Sequence, residues 1–112
     1  MGLIISKIGD VTTILLQGRI DATVAPEIEQ ELLSLVSRGS CRLVTTLSEV
    51  TFISSAGLRS LVAVLKQARS ERGDLRLAGM GGRVKEVFDI TGLSTIFKIY
   101  DSADDAVQSF GD

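Results

Sequence analysis

The residues best suited to chemistry are Ser54 and Ser55, which with Ala56 and Gly57 come just before an amphipathic helical pattern. The first backbone N–H groups of a helix have no partner within the helix, and this end carries a partial positive charge that favours anions. We expect Ser55 to be exposed there and able to carry a phosphoryl group. On spacing alone, the same four residues fit a helix cap with small side chains equally well.

Composition excludes most hydrolase and metalloenzyme classes. The 112-residue chain has no histidine and one cysteine, so it has no Ser-His-Asp triad, no histidine base and no histidine- or cysteine-rich metal site. Gly79-Met80-Gly81 has Val84 where a dinucleotide fingerprint needs its third glycine, and a Gly-Lys-Ser/Thr phosphate loop is absent. We expect no metal, no cofactor and no enzymatic activity.

The charge and the cysteine content of the chain limit its expected partners and its expected location. Twelve basic and fourteen acidic side chains give a net charge of −2, and the basic residues are scattered. This pattern argues against nucleic acid or a membrane as the partner. Since Cys41 is the single cysteine, it has no internal disulfide partner, and the expected location is the reducing cytoplasm. We expect one domain over residues 1–112.

The apolar patterns predict the elements that position the two serines. Strands are predicted over residues 3–8 and 11–17, joined by a Gly9-Asp10 turn, and over 42–47, 75–78 and 96–100. Helices are predicted over residues 25–38, 55–72 and 83–91, with a fourth after Ser102. Residues 18–23 are expected to form a turn, with Thr23 or Ala25 capping the first helix, and residues 48–53 a loop. The order predicts an α/β domain with a mixed sheet.

The helix after Ser55 is predicted to bury one face. Apolar residues at helical spacing are expected to face inward: Leu58, Leu61, Val62, Leu65 and Ala68. The opposite face is expected to be polar: Arg59, Ser60, Lys66, Gln67 and Ser70.

The stretch Leu47-Ser48-Glu49-Val50-Thr51-Phe52-Ile53-Ser54-Ser55-Ala56-Gly57-Leu58 resembles the STAS domain of bacterial anti-sigma factor antagonists. That family has an acidic-Leu-Ser turn after a strand, then Asp-Ser-(Ser, Thr or Ala)-Gly-Leu opening a helix. Gly18-Arg19-Ile20-Asp21 and Thr91-Gly92-Leu93 resemble its flanking motifs. The resemblance covers essentially the whole chain and implies a single domain with about five strands and the helices packed mainly on one face.

The resemblance also implies a protein–protein switch. The family's phosphoacceptor corresponds to Ser55; Ser54 replaces the preceding acid and is an alternative acceptor. Unphosphorylated, the domain would bind a GHKL-type ATPase that is both anti-sigma factor and serine kinase, and a PP2C-type phosphatase would reset it. The expected partner-binding residues lie where the second and third strands end: Asp21, Ala22, Thr23, Ser54, Ser55, Ala56, Gly57 and Arg59.

Three other hypotheses stay open. The chain could be an unphosphorylated scaffold subunit of a larger signalling assembly, or a small-ligand carrier like the lipid- or anion-binding STAS relatives. The third is an enzyme, for which the sequence shows no base near Ser55.

Overall fold

A computed structural model describes residues 2–111, which form a five-stranded sheet in the order β1-β2-β3-β4-β5. The elements are β1 Gly2–Ile8, β2 Val11–Ile20, α1 Ala25–Ser37, β3 Arg42–Ile53, α2 Ser55–Ser70, β4 Asp74–Ala78, α3 Gly82–Ile90, a 3₁₀ turn Leu93–Thr95, β5 Ile99–Tyr100 and α4 Ala103–Ser109. β1 runs antiparallel to β2, and the other pairs are parallel. The predicted α/β fold with a mixed sheet is confirmed; Met1 and Asp112, the ends of the expected domain, lie outside the described residues.

The first two strands form the predicted hairpin. Ile8 pairs with Val11, which leaves Gly9 and Asp10 as a two-residue turn. Gly9 has φ of 61°, a left-handed conformation that favours glycine. This tight turn fixes the register of β1 on β2.

The helices cover the two faces of the sheet unequally. α1, α2 and α3 share one core with the strands, with Ile28, Leu61 and Phe88 among its most buried side chains. α4 packs on the opposite face, where Ala106 meets Val11, Val44 and Ala78. Three of the four α-helices therefore share a face, as the resemblance implied. No helix within residues 2–111 combines the length and the apolar character needed to cross a membrane.

The prediction of a turn over residues 18–23 is wrong in its first residues, and the prediction of a loop over residues 48–53 is wrong throughout, since all six residues belong to β3. β2 continues to Ile20 and β3 to Ile53, and their pairing is preserved by shifts in register after Leu15 and after Gly18. These irregularities interrupt the simple alternation by which a strand is recognised. The consequence is that both strands extend up to the candidate site.

The predicted strand over residues 96–100 is also too long. Only Ile99 and Tyr100 pair with β4, and the 3₁₀ turn precedes them. Phe97 is buried instead against Phe88, with ring centroids 5.8 Å apart in an edge-to-face arrangement. Phe97 therefore fills the core outside the sheet, whereas Ile96 is exposed.

Candidate functional site

The ends of β2 and β3 meet at one edge of the sheet. Ile20 pairs with Ile53, and the backbone N–H of Ser54 donates to the carbonyl oxygen of Ile20 at 2.8 Å. Asp21 follows Ile20 directly, so the structure brings the loop after β2 beside the start of α2. This is the arrangement that the order of the elements led us to expect.

Ser54 is the N-cap of α2. Its backbone is extended, with φ of −84° and ψ of 167°, and its Oγ accepts a hydrogen bond from the backbone N–H of Gly57 at 3.1 Å. The Ser54 carbonyl oxygen accepts from the N–H of Leu58 at 3.0 Å. The half-buried Ser54 side chain therefore satisfies one of the free N–H groups at the helix start.

Ser55 is the first residue of α2, and it is exposed. Its neighbours in the chain, Ser54 and Ala56, are small and half-buried, so no bulky side chain next to it in the sequence covers the hydroxyl. The structure thus separates the two serines by role: Ser54 caps the helix, whereas Ser55 projects from a position where negative charge is favourable.

Gly57 allows α2 to begin close to the sheet. A Cβ at this position would lie 2.8 Å from Cγ2 of Ile20 and 2.9 Å from Cγ1 of Ile53. These separations are shorter than carbon–carbon contacts allow. The glycine therefore seats the helix start against the ends of β2 and β3.

Asp21 organises the loop between β2 and α1. Its Oδ1 accepts hydrogen bonds from Thr23 Oγ1 at 2.6 Å, from the N–H of Thr23 at 3.0 Å and from the N–H of Val24 at 3.3 Å. The Thr23 hydroxyl, followed by the Thr23 N–H, holds the pKa of the Asp21 carboxyl below its usual value of 3.8. Ala22 and Thr23 are exposed beside it.

The predicted cap of α1 is wrong. Val24, and neither Thr23 nor Ala25, occupies the N-cap position, and its side chain makes no capping bond. The side chain of Asp21, three residues before Val24, instead accepts hydrogen bonds from the N–H groups of Thr23 and Val24. The carboxylate reaches them because the chain turns back over Ala22 and Thr23.

The predicted inner face of α2 needs two changes. Ser60, expected on the polar side, is buried, and its Oγ donates to the carbonyl oxygen of Ala25 at 3.1 Å. Val64 lies in the core, whereas Val62 is half-buried. The Ser60 bond fixes the start of α1 against α2, which no pattern of apolar residues could reveal.

A shallow cleft of about 280 Å³ lies between the starts of α1 and α2. Its lining includes Ala25, Pro26, Glu29, Ala56 and Arg59. Arg59 is exposed there, one helical turn after Ser55. Ala56 and Arg59, two of the residues expected to bind a partner, therefore lie in the same cleft as the first turns of α1.

A stacked pair of side chains next to the site, Arg19 and Phe52, was not predicted from the sequence. The guanidinium of Arg19 stacks over the ring of Phe52 at 4.4 Å from its centroid, and both side chains are exposed. The two residues are paired across β2 and β3, which the prediction of a loop over residues 48–53 concealed. Within residues 2–111, no cluster of three or more acidic or cysteine side chains has the arrangement that a metal ion requires.

Comparison with known proteins agrees with this geometry. The STAS domain family model matches residues 3–106. BtrV of Bordetella bronchiseptica, provisionally named an anti-sigma factor antagonist, is 37% identical over 110 residues, 98% of this chain and 95% of that protein. The anti-sigma-B factor antagonist of Bacillus subtilis is 33% identical over 91 residues, 81% of this chain and 83% of that protein.

A solved structure gives the same result for the fold. The crystal structure of an anti-sigma factor antagonist from Mycobacterium paratuberculosis superimposes with a TM-score of 0.90 at 29% identity, covering 99% of this chain and 94% of that one. The chain therefore belongs to the STAS domain family, among relatives that are named anti-sigma factor antagonists.

Proposed function

We propose that this protein is an anti-sigma factor antagonist whose binding to an anti-sigma factor is switched off by phosphorylation of Ser55. Relatives with that name support the first half of the proposal. The observation that carries the second half is the exposed Ser55 hydroxyl at the first position of α2, beside the loop that Asp21 organises.

The proposed partner is a GHKL-type ATPase that is both anti-sigma factor and serine kinase. It would transfer the γ-phosphoryl group of ATP to Oγ of Ser55, with ADP leaving and the hydroxyl proton passing to the kinase or to water. A PP2C-type phosphatase would hydrolyse the phosphoserine and release inorganic phosphate. Because the switch consumes ATP, we propose the cytoplasm as its location.

The electrostatic effect of the phosphate is large enough for a switch. A phosphoserine adds about −1.5 to −2 charges at neutral pH. Opposite a partner carboxylate at roughly 4 Å near a surface, each unit pair costs on the order of 4 kcal/mol before screening. A net loss of about 3 kcal/mol weakens binding more than a hundredfold. The start of α2 tolerates the same charge, so the fold need not change.

Two observations favour Ser55 over Ser54 as the acceptor. Ser54 is half-buried, and its Oγ already accepts the N–H of Gly57, whereas Ser55 is exposed. Phosphorylating Ser54 would place a bulky dianion on the atom that caps the helix. Ser54 thus serves as the matched control for Ser55.

We propose that the partner contacts the edge formed by the loop after β2 and the start of α2. The residues are those expected from the sequence that reach the surface: Asp21, Ala22, Thr23, Ser54, Ser55, Ala56 and Arg59. Gly57, also expected there, is buried against Ile20 and Ile53, so the expectation that it contacts the partner is wrong. The hydrogen bond from Ser54 N–H to the Ile20 carbonyl and the contact of Gly57 with Ile20 support this choice, since they hold the two segments together.

The proposed role is binding and not catalysis. The chain has no histidine, and Asp21, the acid in the adjoining loop, accepts three hydrogen bonds that lower the pKa of its carboxyl. A carboxylate stabilised in this way is a weak base for activating a serine.

Incubation with ATP and the GHKL-type kinases of the same genome, followed by intact mass measurement, tests the proposal. Wild type and Ser54→Ala should gain one phosphoryl group from one of these kinases, and Ser55→Ala should gain none. In a binding assay with that kinase, Ser55→Ala should bind as wild type does and Ser55→Glu at least a hundredfold more weakly. Phosphorylation of Ser55→Ala, or undiminished binding of Ser55→Glu, would contradict the proposal.

A further inference from the structure

A second groove, which shares Arg59 with the cleft between α1 and α2, runs along α2. It is lined by Leu58, Arg59, Val62, Ala63, Lys66 and Leu93, which we call the α2 groove, and it has a volume of about 380 Å³. Its floor is apolar: Leu58 is buried, and Val62 and Leu93 are half-buried side chains packed against the main core. The floor is therefore held in place by the fold.

The two charged residues that line the α2 groove, Arg59 and Lys66, are both basic. α2 contains Arg59, Lys66 and Arg69 and no acidic residue, although the chain as a whole has a net charge of −2. Arg69 is bound to Asp74, whereas Arg59 and Lys66 are exposed and have no carboxylate within 4.0 Å in the part of the chain that the structure describes. Two uncompensated cations thus border an apolar strip.

We propose that the α2 groove receives an acidic amphipathic helix of the partner protein. Charge complementarity selects this occupant, because an apolar ridge on the ligand would fill the floor while its carboxylates meet the two cations. The inference rests on the proposed function for the partner being a protein. It extends the contact surface to Lys66, about three helical turns beyond Ser55, and gives this part of the surface a preference for acidic, apolar ligands.

The spacing of the cations defines the ligand further. Arg59 and Lys66 are seven residues apart on one helix, which is about 10.5 Å along its axis. A helix lying along α2 presents carboxylates at the same spacing when they stand at positions i and i+7, with apolar residues at i+3 and i+4 between them.

The α2 groove also gives the phosphate a route to the partner. Arg59 follows Ser55 by four residues, so the two side chains share one side of α2. A phosphoserine at 55 would offset the charge of Arg59 and add repulsion against the acidic ligand. Phosphorylation would then weaken docking in the groove without altering the fold.

A synthetic peptide tests the α2 groove without any kinase. The probe is a labelled helical peptide of about 18 residues. It has Glu at positions i and i+7 and Leu at positions i+3 and i+4. The control peptide has Lys in place of each Glu. Fluorescence anisotropy should show the Glu peptide binding at least tenfold more tightly than the Lys peptide, with the difference shrinking as salt is added.

Paired variants locate the binding. The double variant Arg59→Gln/Lys66→Gln should bind the Glu peptide about tenfold more weakly, since two exposed ion pairs together change an affinity by that order. Lys7→Gln/Arg38→Gln removes the same charge from exposed positions on other elements and should bind as wild type does.

Three results would overturn the proposal. The first is equal binding of the Glu and Lys peptides, and the second is an equal loss of binding in the control variant. The third is that the Glu peptide does not bind, whereas the chain associates with itself or with phosphatidylserine vesicles and Arg59→Gln/Lys66→Gln abolishes that association. Because phosphorylation takes no part in this assay, its failure is separate from failure of the Ser55 switch.

Discussion

The two ends of α2 are built in opposite ways. At its start, Ser55 is exposed, and Asp21 in the adjoining loop forms hydrogen bonds with its own turn. At its end, Nε of Arg69 is 3.0 Å from Oδ1 of Asp74, whose side chain is only 8% exposed. A carboxylate lies beside each end, but Asp21 bonds only within its own short loop, whereas Asp74 joins separate elements inside the fold.

The network around Asp74 holds several elements together. Nε of Arg76 is 3.0 Å from Oδ2 of Asp74, and Nη1 of Arg76 donates to Oγ of Ser109 in α4 at 2.7 Å. Nη2 of Arg69 donates to the carbonyl oxygen of Ile96 at 2.9 Å. The end of α2, β4, α4 and the segment before β5 therefore share one set of charged groups.

The difference shows how the fold divides its tasks. A rigid end fixes the helix on the sheet, so the other end can leave a hydroxyl and small side chains exposed without loss of position. Substitution of Asp74 at the end of α2 should therefore affect stability strongly, and substitution of Ser55 at its start should affect stability weakly.

The largest effect is expected for Asp74→Ala. Removing one partner of a buried ion pair costs about 3–5 kcal/mol, because the remaining charge keeps its desolvation penalty. Since Arg69 is 44% exposed and water can solvate it, we expect a loss of about 3 kcal/mol, near the lower limit. Urea denaturation at neutral pH measures the free energy of unfolding.

Asp89→Ala is the matched control for Asp74→Ala. It breaks the pair between Lys85 and Asp89, in which both side chains are more than half exposed, and the hydrogen bond that Oγ of Ser94 donates to Asp89, at an expected cost of about 1 kcal/mol. If the two substitutions cost the same, the Asp74 network does not have the structural role assigned to it.

The elements that depend on local pattern could be predicted from the sequence. The Gly9-Asp10 hairpin, the helices and the α/β order follow from turn residues and apolar spacing, and so does the position of Ser54 and Ser55 at a helix start. These features are encoded within a few residues of one another, and the tertiary structure did not override them.

The features that were missed depend on residues distant in the sequence. The end of β3 has Val50 and Ile53 as its buried residues, a spacing that no regular strand gives, because β3 follows the irregular register of β2. Asp74 lies just before the predicted strand over residues 75–78, and nothing near it in the sequence indicates that Arg69 and Arg76 converge on it. Ser60 is buried by a bond to Ala25, 35 residues away.

A smaller effect should separate the two serines at the start of α2. Ser54→Ala removes the acceptor of the Gly57 N–H, and loss of such a cap costs about 1 kcal/mol. Ser55→Ala changes an exposed side chain and should alter the free energy of unfolding by less than about 0.5 kcal/mol. Parallel urea titrations of both variants provide the comparison. A cost for Ser55→Ala equal to that of Ser54→Ala would show that Ser55 also has a structural task, and the division between the ends of α2 would fail.

The smallest effect concerns the carboxylate of Asp21, in the loop beside the start of α2. The pKa of Asp21 lies below 3.8 in the folded protein, chiefly because of the Thr23 hydroxyl, so the charged form is favoured by folding. Its stabilising contribution is complete above the unfolded pKa, near pH 4, and is lost as the pH falls through the lower folded pKa. Thr23→Ala should raise the pKa of Asp21 towards 3.8 and remove much of this acid-dependent loss of stability. Thr51→Ala, the control at an exposed position on β3, should change neither.

An NMR titration of the side-chain carboxyl signals measures the pKa of Asp21 directly. If the pKa of Asp21 is the same in wild type and Thr23→Ala, the Thr23 hydroxyl does not stabilise the carboxylate, and the N–H groups of Thr23 and Val24 are enough to hold it in the loop.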